Sequence, residues 1–462
     1  MARPGFGTDG VRGVANAELT PELATNLGRA AARVLGATAF VVGRDTRQSG
    51  TMLQAALSAG IASGGADVVD LGVLPTAGVA YVAERRGLAA AVVSASHNPY
   101  RDNGIKFFDE SGLKLAPDVE AEVEAALDAP AAAALDAPAP AAAAPPAAPP
   151  ATAPAARVGV LASDSGAAAE YERHLVESLD GRRLDALRVV VDCANGAASA
   201  VAPKVFAELG AAVEPLFAEP DGTNINDGCG STHPQRLAQE VVARGADLGL
   251  ALDGDADRLV AVDHTGALLD GDVLLAIFAI DLATRGELAG DAVVVTVMTN
   301  LGFRLAMARR GISVHETPVG DRQVLAALDE GGLALGGEQS GHIVFRRRAT
   351  TGDGVLTGLL LADAVVRAGR PLADLAAGLV ERVPQVLVNV AVPDPGRLAQ
   401  ADGVWKAVAE IEGDLGDAGR VLLRASGTEP LVRVMVEAPT HALAAEAANR
   451  LSRVVEDCLV SG

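Results

Sequence analysis

Three times along the chain, a short run of β-branched and apolar residues ends in polar turn residues and is followed by a helical pattern. The runs begin near Ala39, Val189 and Val293. A run of this kind is typical of a buried strand, and strands that alternate with helices favour a parallel or mixed sheet covered by helices. Because 462 residues are too many for one hydrophobic core, the sequence predicts three similar α/β units in series, within a protein of three or four domains.

The amino-acid composition argues against several classes of function. The net charge of −21 argues against non-specific binding to nucleic acid or to an anionic membrane, since both require an extended basic surface. No apolar run has the length and hydrophobicity of a membrane span, and the amino terminus lacks the apolar segment of a signal peptide. The three cysteines have no metal-type spacing, which fits a reducing compartment. We therefore expect a soluble, cytoplasmic protein with an aliphatic core, which binds neither nucleic acid nor membrane.

A tract rich in alanine and proline runs from about Asp128 to Ala156. It offers no side chains that could build a core, and its prolines disfavour both helix and sheet. We predict an extended, mobile segment here, either a linker between domains or an insertion in a surface loop.

The first chemical motif follows a predicted strand that ends at Val93. Ser96 presents a hydroxyl there, His97 and Asn98 flank it with hydrogen-bonding groups, and Pro99 disfavours helix at the preceding residue. Such a loop at a strand end can carry a nucleophile or a phosphate group. A capped β-turn is an equally good interpretation of these residues alone.

Lys106 lies shortly after this motif, in a chain that has four lysines among its 38 lysine and arginine residues. Lysine can lose its proton when it is desolvated, whereas arginine effectively cannot. Lys106 is therefore a candidate acid or base, with chance placement as the alternative.

The strongest chemical signal is an acidic loop after a predicted buried strand. Asp253, Asp255 and Asp257 alternate there with the two smallest residue types, so their carboxylates can converge on a divalent cation. A calcium-binding EF-hand loop would need Gly and Glu where the chain has Arg258 and His264, which excludes that kind of site. A solvated acidic turn remains the alternative, although three crowded carboxylates repel one another without a cation.

Two loops near the ends of the chain carry arginines suited to phosphate. The glycine-rich loop at 7–13 contains Arg12, which can bind a phosphate with its guanidinium fork. The turn at 424–430 has Arg424 and Arg433 beside it and could clamp a phosphate. Taken singly, each is better explained as a turn.

A further loop at 337–342 carries groups suited to a sugar. Glu338 and Ser340 could bind hydroxyl or amine groups of a polyol, and His342 could transfer protons. Taken alone, this loop too is better explained as a turn.

These loops occur in one order and span nearly the whole chain, and together they resemble the motifs of the α-D-phosphohexomutase superfamily. The matching segments are GTDGVRG at 7–13, SASHNPYRDNGIK at 94–106, DGDADR at 253–258, GEQSGH at 337–342 and RASGTEP at 424–430. Five ordered matches are far more specific than any one of them. Ala256 departs from the glycine that is frequent in relatives, a small change that leaves the carboxylates free to converge.

The resemblance implies an α/β protein of four domains, with three similar mixed α/β sheet units and a smaller α+β C-terminal domain around a central cleft. The expected limits are 1–156, 157–260, 261–377 and 378–462, with the alanine- and proline-rich tract late in the first domain. The successive domains would supply a phosphoserine loop, a metal loop, a sugar-binding loop and a phosphate-binding loop.

The resemblance also implies roles for single side chains. The implied ligands of one Mg²⁺ per subunit are Asp253, Asp255, Asp257 and the phosphorylated Ser96. The implied catalytic groups are Ser96 itself, Lys106 and His342 for proton transfer, and Arg12, Arg258 and His97 beside the phosphoserine. The implied sugar ligands are Glu338 and Ser340, and those of the distal phosphate are Arg424, Ser426, Gly427, Thr428 and Arg433.

The activity that the resemblance implies is a mutase reaction. It would interconvert the 6- and 1-phosphates of glucosamine through phospho-Ser96 and a hexosamine 1,6-bisphosphate, on the route to UDP-N-acetylglucosamine and the cell wall. Gln339 and the loop at 7–13 favour glucosamine over mannose or glucose, which remain the alternatives. A non-catalytic sugar-phosphate binder and a phosphomonoesterase are further alternatives. The bound partner would be a phosphorylated hexosamine, and relatives make a homodimer plausible.

Overall fold

The computed structural model describes residues 4–7, 9–128, 157–426 and 430–460. These residues form four sheet-based units in series, three of them α/β and the last a smaller α+β unit, which confirms the predicted fold class. The alanine- and proline-rich tract lies outside the described residues from 129 to 156. The domain limits derived from the sequence stay a prediction.

The first unit is built on a seven-stranded mixed sheet with helices on both faces. Its strands are β1 (Phe6–Gly7), β2 (Gly10–Val14), β3 (Ala39–Arg44), β4 (Asp67–Val73), β5 (Ala89–Val93), β6 (Asp102–Phe108) and β7 (Leu161–Ser163). Its helices are α1 (Pro21–Leu35), α2 (Gly50–Ser63), α3 (Thr76–Arg86) and α4 (Pro117–Asp128). The strand order is β1-β2-β6-β5-β3-β4-β7, and the parallel strands β5, β3, β4 and β7 form one half of the sheet.

The second unit has a five-stranded sheet. Its helices are α5 (Ala167–Glu177), α6 (Val201–Glu208) and α7 (Gln235–Arg244). Its strands are β8 (Arg188–Asp192), β9 (Ala212–Leu216), β10 (Leu248–Leu252), β11 (Leu259–Asp263) and β12 (Leu268–Leu269), in the order β12-β11-β10-β8-β9.

The third unit has a four-stranded sheet. Its strands are β13 (Ala292–Thr296), β14 (Ser313–Thr317), β15 (Leu335–Gly337) and β16 (Ile343–Phe345), in the order β14-β13-β15-β16. Its helices are α8 (Gly271–Thr284), α9 (Leu301–Ala308), α10 (Asp321–Gly331), α11 (Gly354–Ala368) and α12 (Leu372–Ala376).

The fourth unit has an antiparallel sheet and two long helices. Its strands are β17 (Gln385–Ala391), β18 (Arg420–Ala425) and β19 (Leu431–Glu437), with β19 in the centre. The helices are α13 (Asp402–Leu415) and α14 (His441–Leu459). Among the helices of the described ranges, none is long and apolar enough to cross a membrane.

The largest apolar cluster connects three of the four units. One continuous cluster joins the first three units and includes Val92 of β5, Leu250 of β10 and Val295 of β13. The fourth unit has a separate core, with Val434 and Leu451 among its members. The loops that follow β5, β10 and β15 are therefore held in a fixed relation by shared packing.

Two glycines let α1 and α2 approach each other closely in the first unit. A Cβ on Gly60 would lie 2.0 Å from the carbonyl oxygen of Thr25, and a Cβ on Gly28 would lie 2.3 Å from that of Leu57. Any side chain at these positions would force the two helix backbones apart.

We predict that Gly60→Ala destabilises the first unit, although alanine is the better helix former by about 1 kcal/mol. The added methyl group has to displace the backbone of α1, and overpacking of this kind costs about 1–3 kcal/mol. The measurement is the thermal unfolding transition by calorimetry.

Gly413→Ala is the matched control for this prediction. Gly413 also lies inside a helix, α13, but a Cβ there would meet no atom within 4 Å. The control should be at least as stable as the wild-type protein. An unchanged transition in Gly60→Ala would contradict the close packing of α1 on α2.

Candidate active site

Ser96 and the acidic loop come together from two different units. Ser96 follows β5 of the first sheet, whereas Asp253 follows β10 of the second. The Oγ of Ser96 donates a hydrogen bond to Oδ2 of Asp253 at 2.5 Å, and both residues are buried. The carboxyl ends of two strands therefore place a hydroxyl against a carboxylate, in the position where α/β proteins bind ligands.

The three aspartates of the loop form a compact cluster. Asp253, Asp255 and Asp257 are buried, and one ligand oxygen from each lies within 4.8 Å of the others. Burial and the neighbouring carboxylates of Asp257 and Asp255 raise the pKa of Asp253 well above its usual value. Two oxygens of the cluster, Oδ1 of Asp255 and Oδ1 of Asp257, have no hydrogen-bond partner in the part of the chain that is described.

This donor set fits a divalent metal ion. Three carboxylates supply hard oxygen ligands of the kind that Mg²⁺ prefers, and the two orphaned oxygens leave coordination positions open. The sequence-based prediction of a converging acidic loop is thus consistent with the geometry.

Lys106 supplies the nearest positive charge to the cluster. Its Nζ lies 2.9 Å from Oδ2 of Asp255, 3.0 Å from Oδ2 of Asp9 and 3.7 Å from Oδ2 of Asp257. Burial alone would lower the pKa of Lys106, but these carboxylates raise it above its usual value. The buried side chain is therefore held as a cation.

His342 reaches the cluster from the third unit. Its Nδ1 lies 3.6 Å from Oδ2 of Asp257, and its Nε2 accepts a hydrogen bond from the backbone N–H of Gly352 at 3.1 Å. Burial would lower the pKa of His342, but the interaction with Asp257 raises it. Because the Gly352 contact occupies Nε2, the ring proton lies on Nδ1, and proton transfer at Nε2 requires this contact to open.

Sequence reasoning missed a second layer of charged residues. Lys114 of the first unit forms ion pairs with both Asp9 and Asp321, and Asp321 is the first residue of α10. Lys114 is one of only four lysines, which is a weak signal. Nothing in the local sequence links it to Asp321, which is 207 positions away.

A cavity of about 240 Å³ opens beside this network. The charged and histidine residues that line it come from the first three units: Asp9, Arg12, His97, Asp257, Arg258, Asp321, Glu338 and His342. Six of these were predicted from the sequence to be site residues.

The basic side chains of the cavity are suited to an anion. The Nε atoms of Arg12 and Arg258 are buried and have no hydrogen-bond partner among the described residues. His97 is close to Ser96, with Nδ1 3.3 Å from Oγ. Burial and the charges of Arg258 and Arg12 lower the pKa of His97, so this ring is neutral at pH 7.

The predicted sugar loop forms a tight turn between β15 and β16. The Oε1 of Glu338 accepts a hydrogen bond from the backbone N–H of Gly320 at 3.0 Å, and Oε2 accepts one from Ser340 at 3.2 Å. Gly341 has a φ of +90°, and a Cβ there would lie 2.1 Å from the carbonyl oxygen of Leu259. The turn thus depends on this glycine to bring Glu338 to the cavity.

The predicted phosphate clamp lies on the fourth unit. Arg424 of β18 and Arg433 of β19 are directly opposite each other in the sheet. Burial and the positive charge of Arg433 lower the pKa of Arg424. The backbone N–H of Ser426 donates to the carbonyl of Leu431 at 2.9 Å. The other two predicted members, Gly427 and Thr428, lie outside the described residues.

Comparison with known proteins gives four consecutive family matches. The models described as phosphoglucomutase/phosphomannomutase, alpha/beta/alpha domains I, II and III match residues 3–133, 169–266 and 270–383. The model of the C-terminal domain of the same family matches residues 387–454.

Similar curated proteins are named phosphoglucosamine mutase. The protein of Desulforudis audaxviator is 51% identical, and the alignment covers 98% of each chain. The protein of Saccharopolyspora erythraea is 53% identical, with 97% of this chain and 98% of the relative covered.

Two solved structures share the fold over the whole chain. A phosphoglucomutase/phosphomannomutase family protein from Burkholderia thailandensis has a TM-score of 0.77 at 25% identity. The alignment covers 98% of this chain and 97% of the Burkholderia chain. The Aspergillus fumigatus N-acetylphosphoglucosamine mutase, solved with GlcNAc-6P and magnesium, has a TM-score of 0.68 at 17% identity. The alignment covers 99% of this chain and 96% of the Aspergillus chain.

We predict that Asp255→Asn weakens the binding of a divalent cation by about tenfold or more, because it removes one of three negative charges from the ligand set. The measurement is titration with Mn²⁺ followed by electron paramagnetic resonance.

Asp192→Asn is the control. Asp192 is a fully buried aspartate at the carboxyl end of a strand, β8, but it lies outside the cluster. Its carboxylate accepts hydrogen bonds from the backbone N–H groups of Ala194 and Gly230. Its variant should bind Mn²⁺ as the wild-type protein does. Equal affinity in Asp255→Asn and the control would contradict the metal site.

Proposed function

Because this chain belongs to the phosphoglucomutase/phosphomannomutase family, we propose that it interconverts glucosamine 6-phosphate and glucosamine 1-phosphate. As a phosphohexomutase it is an isomerase. The names of the relatives at 51% and 53% identity support an amino sugar as the substrate.

One observation carries the proposal. The hydroxyl of Ser96 is buried and lies 2.5 Å from a carboxylate of the acidic cluster, and the next residue, His97, lines a cavity that also contains two arginines. A serine placed in this way is suited to carry a phosphoryl group whose negative charge is balanced on several sides.

In the proposed reaction, the phosphoryl group leaves the Oγ of Ser96 and is transferred to the free hydroxyl of a hexosamine phosphate. The bond between phosphorus and the serine oxygen breaks as the bond to the sugar oxygen forms, which gives a 1,6-bisphosphate. The bisphosphate then turns around, and Ser96 takes back the other phosphoryl group. Transfers of this kind are accelerated mainly by positioning and by stabilisation of charge.

The charge would come from several groups of this chain. Asp253, Asp255 and Asp257 would hold Mg²⁺, which when bound supplies positive charge to the phosphoryl oxygens. Arg12 and Arg258, each with a buried Nε that lacks a hydrogen-bond partner among the described residues, would bind phosphoryl oxygens from the cavity side.

A proton leaves the attacking hydroxyl and another returns to the departing oxygen in each half-reaction. We assign these transfers to Lys106 and His342, whose pKa values are both raised by neighbouring carboxylates. In the transfer from Ser96, the protonated Lys106 would give its proton to the departing serine oxygen, and His342 in its neutral form would take the proton of the attacking hydroxyl. In the return transfer the two roles exchange, because Lys106 is then neutral and His342 protonated.

The sugar and its second phosphate would be bound further out. Glu338 and Ser340 would bind the sugar at the edge of the cavity, and the distal phosphate would lie between Arg424 and Arg433 with the loop that contains Ser426, Gly427 and Thr428. A site that recognises phosphate at one end and a hydroxyl at the other accepts both orientations of the bisphosphate.

The test of the substrate is to compare kcat/KM of the Mg²⁺-loaded, Ser96-phosphorylated protein for glucosamine 1-phosphate, glucose 1-phosphate and mannose 1-phosphate. We expect a preference for the amino sugar of about tenfold or more, the size of a single good polar contact. Preference for a neutral sugar would make the protein a phosphoglucomutase or phosphomannomutase, which is the alternative that the family name and the Burkholderia structure support.

The test of the phosphoserine is Ser96→Ala. We expect kcat to fall by about 1,000-fold or more while the substrate still binds, because the variant keeps the cavity but cannot carry the phosphoryl group. The control is Ser111→Ala, which removes an exposed hydroxyl of the same unit whose hydrogen bond, among the described residues, is to Asp109. Turnover by Ser96→Ala at the rate of the control would exclude the mechanism.

A further inference from the structure

Ser96 has an unusual backbone conformation. Its φ is +51°, in the left-handed region that residues other than glycine rarely adopt. A conformation of this kind persists only where the surrounding contacts hold it in place. The residues that hold Ser96 therefore decide where its hydroxyl points.

The amide of Ser96 is held by two buried side chains in series. Its N–H donates to Oγ of Ser94 at 2.9 Å, and the hydroxyl of Ser94 donates to Oδ2 of Asp45 at 2.6 Å. Both Ser94 and Asp45 are buried, and Asp45 lies just after β3, the strand that neighbours β5 in the sheet.

The carbonyl side of the loop is held by Arg47. This side chain is buried, and all five of its guanidinium N–H groups are used: its Nε donates to Asp45 at 2.8 Å, its Nη2 to the carbonyls of Ser96 and Asn98 at 2.8 Å each, and its Nη1 to those of Asp102, at 2.9 Å, and Pro99. One arginine thus bridges four backbone carbonyls of the Ser96 loop.

A contact from the second unit completes the arrangement. The Nδ2 of Asn226 donates to the carbonyl of Ser96 at 2.9 Å and to that of Asn98 at 3.0 Å. Gly254, between the first two aspartates of the acidic loop, approaches so closely that a Cβ would lie 2.6 Å from the carbonyl oxygen of Ser96. The backbone of Ser96 is therefore fixed against both units that build the site.

We propose that Asp45, Arg47, Ser94 and Asn226 are positioning residues, which together hold the backbone of Ser96 so that its Oγ faces the acidic cluster. None of the four has a hydrogen bond to this Oγ among the described residues. They act through Ser96, and their effect on phosphoryl transfer rests on the proposed function. We call these four residues the serine frame.

The frame explains why two of its members, Asp45 and Arg47, are charged and buried. The ion pair of Arg47 with Asp45 is neutral overall and has no exposed surface on either side chain. An apolar pair could fill the same space, but it could not satisfy the carbonyls of a loop that has no sheet partner there. The frame thus replaces the hydrogen bonds of regular secondary structure at the position where chemistry requires an irregular loop.

The first test is Ser94→Ala, which removes one oxygen and leaves the N–H of Ser96 without its acceptor. We expect kcat for glucosamine 1-phosphate to fall by about 10- to 100-fold, the cost of a displacement of about 1 Å in the reacting group. KM should stay within about twofold of the wild-type value, because the substrate-binding residues are unchanged.

Ser178→Ala is the control, since Ser178 is also buried and its hydroxyl donates, within the described ranges, a hydrogen bond to the carbonyl of His174 at 2.8 Å; neither residue lines the cavity. It should keep the wild-type kcat even where it lowers thermal stability. Equal kcat in both variants, or a fall in kcat that follows the fraction of unfolded protein, would overturn the proposal.

The second test is Asn226→Ala, which removes the contact from the second unit and keeps Arg47 in place. If Ser94→Ala does not fold, Asn226→Ala alone tests whether the serine frame positions Ser96. We expect the same loss of kcat without a comparable change in KM, and an unchanged kcat would overturn the proposal.

Hydrogen exchange tests the serine frame independently of the proposed function. The amides of residues 94–104 should exchange faster in Ser94→Ala than in the wild-type protein and in Ser178→Ala, whatever reaction the protein catalyses. A wild-type protein that turns over none of the sugar phosphates would refute the proposed function. Unchanged exchange at 94–104 would refute the frame by itself.

Discussion

The site depends on the compensation of three buried carboxylates. Asp253, Asp255 and Asp257 lie too close together to be ionised without positive charge nearby, and burial increases the cost. Each unit that meets at the cluster supplies a compensating group: Lys106 of the first unit and Arg258 of the second are cations, and the Nδ1–H of His342 from the third unit faces Asp257. The cluster is therefore a product of the assembly of the units and not of the acidic loop alone.

The arrangement of the apolar clusters keeps the compensating groups near the carboxylates. The groups that balance the carboxylates must stay close to them, and the first three units, which supply these groups, share one continuous apolar cluster. The fourth unit has its own core and meets the third through the buried Glu437, which accepts hydrogen bonds from Asn300 at 2.8 Å and from the backbone of Leu301 at 3.0 Å. The arginine pair of the fourth unit is thus attached to a separate core and not to the packing that holds the cluster.

The fold and the centre of the site were accessible from the sequence because both rest on local patterns. Apolar runs that end in polar residues predicted the strands before Ser96 and Asp253, and the carboxyl ends of such strands are where polar side chains meet. The supporting residues were not accessible in this way. Arg47 was visible only as part of a polar turn after β3, and its four carbonyl partners lie about 50 residues further along the chain.

The same limit applies to pairs of ionised groups. Lys114 and Asp321 are ordinary charged residues in sequence, and only the packing of the third unit on the first makes them partners. A sequence pattern shows which residue types can do chemistry, because that depends on their functional groups. It does not show which long-range contacts hold them, because these depend on how separate units pack.

The location of the positive charge resolves an apparent conflict between the composition and an anionic substrate. The net charge of −21 is distributed over a large surface, where ions screen it within about 8 Å at physiological salt. Inside the cavity, the guanidinium groups of Arg12 and Arg258 act at contact distance and in a less polar environment, where each interaction is stronger. The carboxylates that raise the pKa of Lys106 also keep that group charged throughout the physiological range. The acidic cluster therefore does more than offer ligands to a cation: it fixes a positive charge beside Ser96, and a phosphoryl group there is attracted by local charges that the net charge does not reveal.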